Sequence, residues 1–173
     1  MKIMEILKFI KYGWIDKEGN KYLGSSGDFI NDYILETPEE VEKNKIGLCW
    51  DQVELARYYL EKDNIKVKTY FIIYYNDICP THTFLVYFKH GKYYWVEHAW
   101  ERFSGIHEYK SLNELILDVK NKYIEYELNE DFDNDKLEIY EYQKPKSHLS
   151  VQEFVDYCTS FDRIILESEG YKE

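Results

Sequence analysis

The chain has 173 residues, 45% hydrophobic and 18% aromatic, with 18 tyrosines, a net charge of −11 and three cysteines. That length suits one domain with a sizeable core, and that composition excludes a disordered polymer. The acidic balance, with no concentration of Lys or Arg, argues against nucleic acid as a partner.

In chain order, Ile3, Ile6, Leu7 and Ile10 predict a short amphipathic helix, followed by a Gly-rich stretch from Gly19 to Gly27. The N-terminus lacks a continuous apolar region and a small-residue cleavage site, and no run is long enough to span a bilayer. Cys49, Cys79 and Cys158 are widely spaced and odd in number, which is no disulfide framework and implies a reducing compartment. A cytoplasmic protein without a membrane partner is the expectation.

Thr37-Pro38-Glu39-Glu40 predicts a helix start, with Thr37 as N-cap, Pro38 at the first position and Glu40 completing a capping box. Gly47 interrupts that helix. A second helix opens at Cys49, because Cys49, Val53, Ala56 and Leu60 share one face, with Asp51, Glu54, Arg57 and Glu61 on its polar face. Asp63-Asn64 ends it. Runs 67–75, 82–89 and 92–101, rich in Tyr, Phe, Val, Ile and Trp, predict three strands of a largely antiparallel sheet. A capping box at Ser111–Glu114 predicts a helix to about Lys122, Lys136 to Tyr142 an extra strand, and Ser150–Glu153 a last helix ending near Tyr157. No internal repeat, linker or second domain is evident. The expected fold is a single α+β domain over 1–173, a Cys-bearing helix packed on an antiparallel sheet, with its catalytic core at about 37–110.

A thiol at a helix start faces first-turn amides that have no intrahelical partner and the positive end of the helix dipole. Both favour thiolate, the nucleophilic form. The Cys49 or Trp50 N–H is a candidate oxyanion donor. Asp51 lies roughly 200° around the helix from Cys49, directed away from the sulfur. If His90-Gly91 is a two-residue hairpin loop, Lys89 pairs with Lys92, and Phe84 then lies opposite Glu97. His82 and Glu97 become diagonal neighbours on one face, roughly 7–8 Å apart at Cα. Glu101 is the rival carboxylate on that face, and His98 turns to the other unless the loop has three residues. Cys49 as nucleophile, His82 as base and Glu97 as orienting acid form an activated-thiol constellation. Trp50, Gln52 and Trp100 are candidate oxyanion or substrate-groove residues.

The order Gly47-Leu48-Cys49, His82-Thr83-Phe84, Trp95-Val96-Glu97 resembles the transglutaminase-like superfamily, with its papain-like Cys-His-acid fold. The resemblance covers Gly47 to roughly Trp100. It departs in using Glu where Asp is usual, and in placing Ala-Trp after His98, so that His98 is the competing base. It implies thiol acyl transfer on an amide or peptide bond of a protein or peptide substrate, without a cofactor, in an enzyme of protease, amidase, deamidase or transglutaminase type. Hydrolysis is favoured over cross-linking, since nothing marks an amine-acceptor site. The alternative is a catalytically silent protein-binding module of the same fold. Free cysteines are often simply buried. Cys79-x-x-His82 has metal-ligand spacing but no second ligand pair, and Asp131–Asp135 lacks the Gly and Glu of a calcium loop, so no metal is expected.

Overall fold

In the computed structural model the described residues are 3–128 and 131–166. The N-terminal part carries α1 (Ile3–Leu7), a β1–β2 hairpin (Lys11–Ile15, Lys21–Leu23) and the short α2 (Phe29–Asp32). There follow α3 (Pro38–Asn44), β3 (Ile46–Gly47) and α4 (Cys49–Lys62). Then come β4 (Val67–Tyr74), β5 (Thr81–Lys89), β6 (Lys92–Glu97), β7 (Gly105–Tyr109), α5 (Leu112–Glu127), β8 (Leu137–Tyr142) and α6 (Val151–Thr159).

The chain is α+β. An antiparallel five-stranded sheet has the order β7-β6-β5-β4-β8, and a three-stranded sheet has the order β2-β1-β3, in which β1 and β3 run parallel. Strand alternation divides the large sheet between two cores. Phe71, Leu85, Tyr87 and Val96 face α4, α1 and α6, whereas Tyr70, Phe84, Val86 and Trp95 face α5.

Local chemistry sets the boundaries. Thr37 and Glu40 exchange both capping-box hydrogen bonds, and Ser150 and Glu153 do the same at α6. At α5 the box is only half formed. Ser111 accepts from the Glu114 N–H, but the Glu114 carboxylate takes the Lys110 N–H, and the helix runs past Lys122 to Glu127. Lys45, in the left-handed region at φ 57°, stops α3, so Gly47 is not the breaker. Gly47 instead lies in β3, where an added Cβ would stand 2.9 Å from Asp51 Cβ and 3.2 Å from Val41 Cγ1. The closeness of β3 to α3 and α4 requires a residue without a side chain.

The expected polar face of α4 is largely buried. Only Glu61 is exposed, while Glu54 and Arg57 pair at 2.8 Å, Arg57 donates to Thr69 on β4, and Tyr142 on β8 donates to Glu54. β8 and α6 pack on that side, so the helix has two buried faces. The β1–β2 hairpin, β3 and β7 were not anticipated from the sequence.

Candidate active site

Cys49 is the first residue of α4 and follows Leu48, whose extended backbone (φ −77°, ψ 178°) forms the N-cap. Leucine cannot cap with its side chain, and Asp51 holds the turn from the other side. Its Oδ2 accepts from the Leu48 N–H at 2.9 Å, and its Oδ1 accepts from the Glu36 N–H and the Tyr33 hydroxyl. Burial pushes the Asp51 carboxyl up to about 7 against these three donors. The sulfur therefore sits on a turn fixed by Leu48 and by the segment between α2 and α3.

The β5–β6 hairpin has the register that a two-residue loop dictates: Lys89 pairs with Lys92, and Leu85 with Val96. His90 and Gly91 both take positive φ, 51° and 77°, as a type I′ turn requires. His82 Nε2 lies 2.8 Å from Glu97 Oε2, with both side chains buried. Glu97 Oε1 accepts from the backbone N–H groups of His98 and Trp100 at 2.9 and 3.0 Å. These two bonds turn the chain out of the sheet, so β6 ends at Glu97 rather than Glu101, and Ala99 is not paired with His82.

His82 is the second residue of β5 and lies at the end of the sheet, flanked from both layers. Trp100 stacks on its imidazole with centroids 3.6 Å apart and planes 10° apart, and the Trp100 indole N–H donates to Glu127 on α5. Cys49 reaches it from α4. Burial opposes the imidazolium, but the Glu97 charge and the hydrogen bonds of Cys49 and Glu97 outweigh it and hold the His82 pKa above its ordinary value. With Nε2 committed to Glu97, Nδ1 is the nitrogen left for the sulfur.

Glu101 is exposed at the start of a 3-10 turn over Glu101–Phe103. His98 lines the cavity beside Cys49 but has both ring nitrogens engaged elsewhere, Nε2 3.1 Å from the Ile10 carbonyl and Nδ1 3.3 Å from Ser104 Oγ. Trp50 does not line a groove: its ring packs among Phe29, Tyr33, Phe71 and Phe154 in the core. Gln52 lies beside Cys49, with its Nε2 donating to the Gly47 carbonyl at 2.9 Å. Cys79 is exposed, its thiol on the Asn76 carbonyl, and stands apart from the His82 imidazole that Glu97 occupies.

Tyr12 and Thr83 join the site without having been singled out from the sequence. Tyr12 pairs with Gly47 across β1 and β3. The residue as a whole is 45% exposed, but desolvation of its hydroxyl and the neighbouring Cys49, Glu127 and Glu97 raise its pKa above the ordinary value. Thr83 lines a small cavity with Cys49 and Gln52. Neither residue belongs to a spacing pattern, so only the fold brings them in.

No protein-family model matches the chain, and no relative is found among curated proteins. Among the described residues no helix is long and apolar enough to cross a membrane.

Proposed function

We propose that this chain is a cysteine enzyme of transglutaminase-like, papain-like architecture that cleaves an amide or peptide bond in a protein or peptide substrate by thiol acyl transfer. The observation that carries the reading is the buried His82–Glu97 pair, with Cys49 of the α4 N-terminus near enough to the imidazole to raise its pKa. An unpaired carboxylate in this position would be costly, and its charged partner among the described residues is a histidine beside a thiol.

The roles follow from the atoms. The Cys49 proton passes to His82 Nδ1, and Sγ attacks the carbonyl carbon while the first-turn amides of α4 face the developing oxyanion. The C–N bond breaks and His82 returns the proton to the leaving amine. Water then attacks the thioester, gives a proton to His82, and the thiol is restored as the acid product leaves. Glu97 fixes the imidazole through Nε2 and stabilises its charged form.

The silent binding-module reading has one observation in its favour, the closure of the site: Cys49, His82 and Glu97 are 6%, 2% and 4% exposed. Mass spectrometry after exposure to p-nitrophenyl acetate separates the two readings. An enzyme forms an acetyl thioester on Cys49 that turns over, absent in Cys49→Ser and slowed about 100-fold or more in His82→Ala. A binding module shows no adduct on Cys49, or one indifferent to His82.

A further inference from the structure

Among the described residues, four buried side-chain polar atoms have no hydrogen-bond partner: Glu36 Oε2, Gln52 Oε1, Thr83 Oγ1 and Trp95 Nε1. Two of them, Gln52 Oε1 and Thr83 Oγ1, belong to residues that line one cavity with Cys49. Gln52 is 4% and Thr83 1% exposed. The Gln52 amide is oriented by its Nε2 bond to the Gly47 carbonyl, so Oε1 is offered as an acceptor. Thr83 offers a hydroxyl that can donate or accept.

An orphaned polar atom in a core is destabilising, and at Thr83 valine would avoid it with the same shape. Two such atoms against the thiol point to a ligand rather than to packing. The cavity as it stands has room for about one water-sized group, about 10 Å³. All but one of its lining residues come from α4, from β5, or from β6 and the Glu97–Ala99 turn, and the exception is Leu7 of α1. α1 is a five-residue helix held down by Ile3 and Leu7 and, just beyond it, by Ile10, whose carbonyl accepts from His98. So short a helix, which contributes Leu7 alone to the lining, is the least extensive wall of the cavity.

We propose that this cavity is the subsite for an amide group next to the atom that Cys49 attacks, with Gln52 Oε1 accepting from its N–H and Thr83 donating to its carbonyl. α1 is its cover. The inference rests on the thiol reading above and adds the recognition chemistry of the same site.

Alkylating reagents of matched size test it on the full chain. Iodoacetamide presents a primary amide beside the carbon that sulfur attacks with loss of iodide, and 2-iodo-N-methylacetamide presents a peptide-like one. Methyl methanethiosulfonate, which transfers a methylthio group and expels methanesulfinate, presents no amide. In Thr83→Val and in Gln52→Leu the rate of Cys49 alkylation by iodoacetamide should fall at least about tenfold relative to thiolation by the thiosulfonate, with Cys79 as reference. Thr83→Val should also unfold at a higher temperature than the parent. A matching fall with the N-methyl reagent assigns the subsite to a peptide unit, and its absence assigns it to a carboxamide side chain. Leu7→Ala should speed all three reagents at Cys49 while the buried Cys158 stays unlabelled. The inference is overturned if the amide reagents lose no more than the thiosulfonate, or if Leu7→Ala leaves Cys49 rates unchanged. Failure of the thiol reading looks different: His82→Ala then leaves every reagent's rate unaltered.

Discussion

His82 binds its proton more tightly in the folded chain than in the unfolded one, and the sign of the pH dependence follows. The stabilisation from the His82–Glu97 pair is complete below the ordinary imidazole value of 6.5 and fades as pH rises toward about 10, where the folded group loses its proton. Glu97→Gln removes the charge that holds the proton and should cost about 3 kcal/mol at pH 6. Urea unfolding at pH 6, 8 and 9.5 should show the gap between parent and variant shrinking with pH. A constant gap would mean that Glu97 acts only through its backbone hydrogen bonds. At this scale the sequence was informative about His82 and Glu97, because a two-residue loop fixes which side chains share a face. It was misleading about Trp50 and Glu101. An aromatic beside the thiol reads equally well as groove or core, and nothing in the run 92–101 shows that the Glu97 carboxylate gathers the His98 and Trp100 amides and ends the strand.

Among the elements, α4 and its approach do most to position the thiol. Gly47→Ala places a methyl group against Asp51 and Val41, so the first turn of α4 must move or the α3–β3 packing must loosen. The expected cost is about 1–3 kcal/mol, together with slower Cys49 alkylation. Unchanged stability and reactivity would show that the turn tolerates the shift. Thr37→Ala, by contrast, removes a helix cap and should cost about 1 kcal/mol in chemical denaturation. The caps at Thr37 and Ser150, the α4 periodicity and the β5–β6 hairpin were legible because each rests on contacts a few residues apart. β1, β2 and β3 were not. They are five, three and two residues long, too short to show a period-2 pattern, and β3 exists only through its pairing with β1, distant in sequence.

Across the whole molecule, the two sides of the five-stranded sheet meet at His82, with Trp100 from the α5 layer stacked on its ring and Cys49 from the α4 layer as its neighbour. The Glu54–Arg57–Thr69–Tyr142 cluster fastens α4 to β4 and β8 and so keeps those layers in register. Breaking it by Glu54→Gln leaves a buried Arg57 charge and should cost about 3–5 kcal/mol. Burial of this cluster was hidden in the sequence because the residues fall on what looks like a solvated helix face, and only the packing of β8 and α6 covers them. The three thiols give the fold its own controls. Cys79 is exposed, whereas burial and then the Glu54 charge push the Cys158 thiol up and make it inert.

The central property of the proposed site is the activation of Cys49 by His82. The most direct measurement is the rate of Cys49 carbamidomethylation at pH 7 in the folded parent and in His82→Ala, resolved by peptide mass mapping with Cys79 as reference and Cys158 as monitor of unfolding. The account predicts that Cys49 is labelled in the folded parent and slows at least about tenfold in the variant, with Cys158 untouched in both. Equal Cys49 rates in the two proteins, or labelling that begins only when Cys158 also reacts, would contradict it.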